Sequence, residues 1–298
     1  MPATGRRSLA GVALVLVSCT AVQGSAALAV PLFDTLHPAV AAAWRQVFGA
    51  LVLVTLLRPR VRGRDRAEWL AIAVLGGAIA SMNVLFYLAA DRLPLGIAAT
   101  LLYLGPFAVA AVHTGRDWRL LLPLSALAGV VLVSRPGAGA DLTGTCLGLL
   151  AAGSLAAYTL TSQRLGRDGG LDRLALAAVA SALVLSPLSL SSIGTPGPGQ
   201  WLTLTVSGAV GIGLAFSCDF VALRLVGTRV VSTLFALDPV VGALVGAVAL
   251  SQQLDVRTIA GIVVIVVAGG VTTALREGPG RAAYGPGRAR LGEHLSSG

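Results

Sequence analysis

The chain has 298 residues, of which 55% are hydrophobic and only 12% charged. Soluble domains carry roughly 25% charged residues, so this deficit, with a mean hydropathy of +0.84, excludes an ordinary soluble fold and indicates a polytopic membrane protein. The net charge of +9 does not point to nucleic acid, because the arginines sit in short loops and form no long basic patch.

Ten apolar segments are long enough, or nearly so, to cross about 30 Å of hydrocarbon. They are read at 8–30, 38–57, 69–90, 95–113, 118–134, 143–163, 173–191, 200–222, 228–250 and 257–275. The first begins behind Arg6 and Arg7, and Leu16-Val17-Ser18-Cys19 looks like a lipoprotein cleavage box. Nine apolar segments follow it, which makes a retained first helix the expectation. The third and fourth segments turn on Asp91, Arg92 and Pro94, and Pro106 is expected to break the fourth. The ninth repeats this plan with Pro239. Beyond 275 the chain becomes a Gly/Pro/Arg-rich tail, 276–298, expected to be disordered. Cys19, Cys146 and Cys218 fall in apolar segments without metal-ligand spacing. They are expected as buried thiols, with no disulfide, metal or cofactor.

The arginines predict an orientation. With the N-terminus in the cytoplasm, 18 arginines lie on the inner side and three, Arg92, Arg135 and Arg257, on the outer side. That asymmetry predicts both termini in the cytoplasm of a multi-pass cell-membrane protein. Sliding the chain by 133 residues lays Pro106 on Pro239, Leu104 on Leu237, Thr100 on Thr233 and Gly11 on Gly144. Two repeats, 8–134 and 143–275, follow, each with five crossings. Five is odd, so the second repeat enters the membrane upside down. The predicted fold is an all-α membrane protein of ten helices in two inverted five-helix repeats, the plan of secondary transporters with a site near the midplane.

Polar side chains in those segments are the candidate site, since an ionised group at the bilayer centre costs roughly 2.5–3.5 kcal/mol. Helical rise places Gln23, Arg45, Asn83 and Tyr103 in one layer about 10 Å from the outer surface, with Asp238 slightly deeper. Arg45 reads as a fixed cation for a substrate carboxylate or phosphate; the alternative is a side chain snorkelling to the headgroups. Asp238 reads as a proton carrier, and also as the N-cap of a half-helix beginning at Pro239. Asp219 reads as a second coupling carboxylate, or as a mouth residue paired with Arg224 or Arg229. Tyr87 and Thr100 join the cavity lining, and Asn83, Tyr87 and Asp91 recur every four residues on one face. His113 is read as interfacial. Gly208–Gly213 and Gly242–Gly246 read as close helix packing.

The string MNVLFYLAADRLPLGIAATLLYLGPFAVA, from Met82, closely resembles the matching hairpin of EamA-type members of the drug/metabolite transporter superfamily. VQGSAALA with PLF from Val22, DLTG from Asp141 followed by Tyr158 and SQR, and the pair Asp238-Pro239 extend the resemblance to about residue 275. It implies ten helices in two repeats, export of small metabolites or amino acids, and proton exchange. In that family the positions of Asp219 and Asp238 are typically Glu, and a glutamate near the end of helix nine is replaced here by the run ALSQQLD.

The expected function is proton-coupled export of amino acids or similar metabolites. Arg45 would hold a carboxylate, Gln23, Asn83, Tyr87, Thr100 and Tyr103 would line the site, and Asp238 with Asp219 would carry protons. Expected partners are a small-molecule substrate, protons and the bilayer, with no nucleic acid; a homodimer stays open. The alternatives are an uncoupled facilitator or drug-efflux protein, and a receptor or assembly partner. No catalytic set is present to suggest an enzyme.

Overall fold

The computed structural model describes residues 3–112, 128, 141–165 and 170–276. The expected fifth helix at 118–134, His113 and the tail beyond Arg276 lie outside these residues, apart from position 128. The described chain is helical, in the order α1 (Ala3–Ala29), a 3-10 turn (Val30–Asp34), α2 (Pro38–Leu57), α3 (Arg66–Ala90), α4 (Leu95–Val112), α5 (Leu142–Leu165), α6 (Gly170–Val184), α7 (Ser186–Ser191), α8 (Pro198–Gly208), a π-helical turn (Ala209–Leu214), α9 (Ala215–Leu234), a 3-10 turn (Phe235–Leu237), α10 (Asp238–Ala249) and α11 (Val256–Arg276).

Short polar caps punctuate the apolar runs. His37 accepts from the Ala39 amide at 3.2 Å ahead of Pro38, and Asp65 accepts from the Glu68 amide at 2.7 Å. Asp141 and Asp255 do the same for Gly144 and Thr258. Each satisfies an amide that the first turn leaves open. Arg58 ends α2 in the left-handed region, φ 45°.

Among the described residues, five stretches are long and apolar enough to cross a membrane: Leu9–Asp34, Pro38–Leu57, Arg66–Ala90, Leu142–Ser162 and Pro198–Val226. Shorter apolar helices lie at Leu95–Val109, Phe235–Ala249 and Val256–Val267. The distribution of residues is that of a membrane bundle. Large apolar side chains such as Leu70, Leu183, Leu202 and Val248 face outward, while the main buried cluster is built largely of alanines, among them Ala26, Ala41, Ala42, Ala89, Ala98 and Ala99. Lipid is as apolar as Leu, so close backbone approach, not Leu burial, holds such helices together.

Going round the bundle, α1 packs on α9 and α8, α8 on α2, α2 on α6, α6 on α3, α3 on α5, α5 on α4, α4 on α10, and α10 back on α1. The helices close a ring, with α11 packed outside it against α4, α9 and α10. The pairings exchange under the 133-residue shift: α1 on α9 matches α5 on α3, and α10 on α1 matches α4 on α5.

Four local expectations are corrected. Pro106 lies inside α4 without ending it. The seventh segment is divided at Leu185 into α6 and α7, where Pro187 follows Ser186 at the start of the second piece. Cys146 is exposed, while Cys19 and Cys218 are buried. The connection expected at 223–227, between the eighth and ninth segments, is helical backbone, which continues to Leu234. The direction of the chain still reverses there. Asp219 partners Ser18 and Val226 abuts Gly11, whereas Val231 packs in one cluster with Val15 and Asp238 bonds Gln23. The chain thus runs down α1 as far as Val226 and back up it from Val231.

At the end of the bundle carrying the Arg58–Arg66 loop, Glu68 accepts from Arg64 and from Arg173 Nε, the latter at 2.8 Å. These pairs tie α3 to α6. At the opposite end Arg92 meets Asp141 at 3.6 Å.

Candidate functional site

Polar side chains from α1, α2, α3, α4 and α10 converge inside the ring. Arg45 is 4% exposed. Its Nη1 donates to Asn83 Oδ1 at 3.1 Å and its Nη2 to Ser25 Oγ at 3.0 Å. The guanidinium lies over the Tyr87 ring, 5.4 Å from the centroid, a cation–π arrangement. Arg45 therefore points inward and does not snorkel. Neither hydrogen-bond partner is charged, and no carboxylate pairs with it among the described residues.

Asn83 holds this cation through a fixed amide. Its nitrogen donates to Gln46 Oε1 at 3.1 Å and to the Ile79 carbonyl at 3.0 Å, which directs its oxygen to Arg45. Gln46 in turn donates to the Ala178 carbonyl of α6 at 3.3 Å, linking the cation to the other repeat. The π-helical turn Ala209–Leu214 abuts the same spot. A Cβ on Gly211 would come within 2.8 Å of Ser25 Cβ and would also strike the Arg45 head, so only glycine leaves the guanidinium its seat. A π turn carries one residue more per turn than an α turn, and such bulges concentrate at functional sites.

The second group centres on Asp238, 1% exposed. Gln23 Nε2 donates to its Oδ2 at 2.8 Å, and the Tyr103 hydroxyl and Cys19 thiol stand near the same carboxyl. Asp238 does not cap its helix: Leu237 takes the N-cap position, Asp238 is already helical at φ −57° and ψ −40°, and its side chain turns to α1. Asp219 sits next to Ser18, close enough to Asp238 for the two carboxylates to influence each other.

The structure thus joins Arg45 with Asn83 and Tyr87, and joins Gln23 with Asp238 and Tyr103. Asp219 stands at the edge of the second group. Thr100 is 0% exposed and spends its hydroxyl on the Gly96 carbonyl of its own helix at 2.6 Å. Asp91 closes α3 at its exposed end, its amide donating to the Tyr87 carbonyl at 3.0 Å. The polar wall on α3 stops at Tyr87.

Sequence reasoning missed Ser18, Cys19, Ser25, Gln46 and Gln252. Gln46 carried a signal, as a second polar residue beside Arg45 in an apolar helix. Ser18 and Ser25 are seven apart, hence on one helix face. Gln252 accepts from the Leu95 amide at 2.9 Å, so it opens α4 from the far repeat. Nothing local announced that contact across 157 residues.

Residues 142–273 match the model of the EamA-like transporter family. The threonine/homoserine exporter RhtA of Escherichia coli strain K12 is 30% identical over 249 residues, covering 82% of this chain and 84% of that protein. RhtA of Salmonella typhimurium strain LT2 is 29% identical over 273 residues, covering 89% and 92%. A crystal structure of another protein superposes with a TM-score of 0.60 at 20% identity, over 91% of this chain and 98% of its own. The ring of helices, the buried polar interior and these matches lead to one assignment: the chain belongs to the EamA-like transporter family, a membrane transport protein.

Proposed function

We propose that this protein exports amino acids across the cell membrane in exchange for protons, with threonine and homoserine as the first substrates to test. The observation that carries the reading is the state of Arg45. Among the described residues it is a buried cation held by neutral acceptors alone, with Nε left without a partner. Burying an unpaired charge is costly, and a substrate carboxylate offers the missing counter-charge in a geometry that suits a guanidinium. The exporters to which the chain is similar supply the substrate class. Asn83, Ser25 and Tyr87 then fix the guanidinium, and Asp238, with Asp219 nearby, carries the proton.

In this reading the repeats run 8–134 and 143–275, the segment 276–298 is a cytoplasmic tail, and both termini are cytoplasmic. The 18-to-3 distribution of arginines supports that orientation.

The test is efflux. Expressed in a bacterial host lacking its own threonine exporters, the protein is expected to raise threonine or homoserine in the medium and to confer tolerance to high homoserine. Equal efflux with and without the protein contradicts the reading.

A further inference from the structure

Among the described residues, five buried side-chain polar atoms lack a protein partner; Ser181 Oγ stands on α6, and the other four separate by chemistry. Beside the cation stand Arg45 Nε, a pure donor, and the Tyr87 hydroxyl. Beside the acid stand Gln23 Oε1 and Asp219 Oδ1. The Gln23 orientation is fixed, because its nitrogen is the group that can donate to Asp238, at 2.8 Å. Its oxygen is therefore an acceptor left open, and an ionised Asp219 Oδ1 is another. One pole of the interior lacks an acceptor and the other lacks donors.

An open acceptor next to two carboxylates is satisfied by a group with several donors and a positive charge. A primary ammonium has three N–H bonds and fits that description; a neutral hydroxyl has one and does not. Both poles are anchored on one stretch of α1: Ser25 accepts from Arg45, Gln23 donates to Asp238, and Ser18 stands beside Asp219.

We infer that Asp238, Asp219 and Gln23 Oε1 bind the ammonium group of the substrate while Arg45 binds its carboxylate, so that the site selects zwitterions and rejects carboxylates that lack an amine. The inference rests on the amino-acid reading above and assigns the second half of that site. Asp238 is then a specificity-determining residue in addition to any part in proton movement.

Proteoliposomes containing the full chain test this with two probes, threonine and its deaminated analogue 2,3-dihydroxybutanoate, each measured at equal pH on both sides and with sodium or choline as the cation. The wild type is expected to prefer threonine by about tenfold or more in kcat/KM, the scale of one lost charged hydrogen bond. Asp238→Asn is expected to bring that preference close to unity by raising KM for threonine, and Asp238→Glu to restore most of it. Arg45→Gln is expected to weaken both probes together. Gln23→Met, which removes the open acceptor and keeps the side-chain volume, gives a second reading of the same ratio if Asp238→Asn does not insert.

A wild type that moves both probes equally overturns the ammonium site and leaves amino-acid transport standing. So does an Asp238→Asn protein, or a Gln23→Met protein in its place, that weakens both probes in the same proportion. Transport that requires sodium, with a preference unaffected by these variants, assigns the acceptors to a metal cation and overturns the inference. A wild type that moves neither threonine nor homoserine overturns the amino-acid reading and the ammonium site with it.

Discussion

Asp238 and Gly105 occupy corresponding positions 133 residues apart, and their surroundings are opposite. Asp238 meets Gln23 and Cys19 of α1. Gly105 meets Ala156 and Ala152 of α5, the residues that correspond to those two under the same shift. A Cβ on Gly105 would come within 2.8 Å of the Ala152 carbonyl carbon and 3.1 Å of the Ala156 nitrogen. One seam is closed by backbone contact and its counterpart is held by a carboxylate, an amide and a thiol. The pseudo-symmetry is thus kept in the fold and broken in the chemistry.

That contrast yields a stability prediction. Gly105→Ala forces a methyl group against backbone that has no side chain to move aside. Overpacking of this kind costs about 1–3 kcal/mol. Thermal unfolding of the purified protein in detergent should show a clear fall in Tm, and an unchanged Tm would show that the α4–α5 seam is looser than described.

Asn83 offers a test of the unpaired cation. Its Oδ1 accepts from Arg45 Nη1 at 3.1 Å, so Asn83→Asp places a carboxylate where the amide oxygen now stands. The resulting internal ion pair would occupy the guanidinium. Transport should fall by about tenfold or more, a scale set by one charge-assisted hydrogen bond, while the protein inserts normally. Transport at the wild-type rate would mean that Arg45 does not receive a substrate anion.

Much of this was legible in the sequence, and the reason is physical. A membrane helix writes its length in hydrophobicity, and a charge within it is conspicuous because it is costly. Arg45, Asn83, Gln23 and Asp238 stood out for that reason. Their pairing did not, because helix rise gives depth and leaves rotation about the bundle open. Depth placed Arg45 and Gln23 in one layer, whereas the structure gives them different partners, on α3 and α10. Asp238-Pro239 looked like a cap followed by a first helical residue, a pattern that is local and common. A tertiary contact to Gln23 won over it. The π turn at Ala209–Leu214 left only a glycine-rich run in the sequence, which is equally the mark of close packing. Ser25 and Ser18 were hidden because a lone serine in an apolar helix usually bonds its own backbone, as Thr100 does here.

Proton coupling is tested at Asp238. The groups facing it are Gln23 and Cys19 on α1, Tyr103 on α4 and, more remotely, Asp219 on α9. Of these only Asp219 could replace its charge. Asp238→Asn cannot load or release a proton, so threonine flux in proteoliposomes should no longer respond to an imposed pH gradient. Flux that follows the gradient as in the wild type would remove Asp238 from the coupling role, and Asp219→Asn measured in parallel shows whether the second carboxylate carries it.

In the proposed transport cycle Arg45 holds the substrate carboxylate. The most direct measurement of that role is counterflow of labelled threonine into proteoliposomes preloaded with unlabelled threonine, comparing the wild type with Arg45→Ala at matched amounts of inserted protein. Accumulation is expected in the wild type, and only the leak of empty liposomes for Arg45→Ala. Accumulation by Arg45→Ala at the wild-type rate would contradict that role.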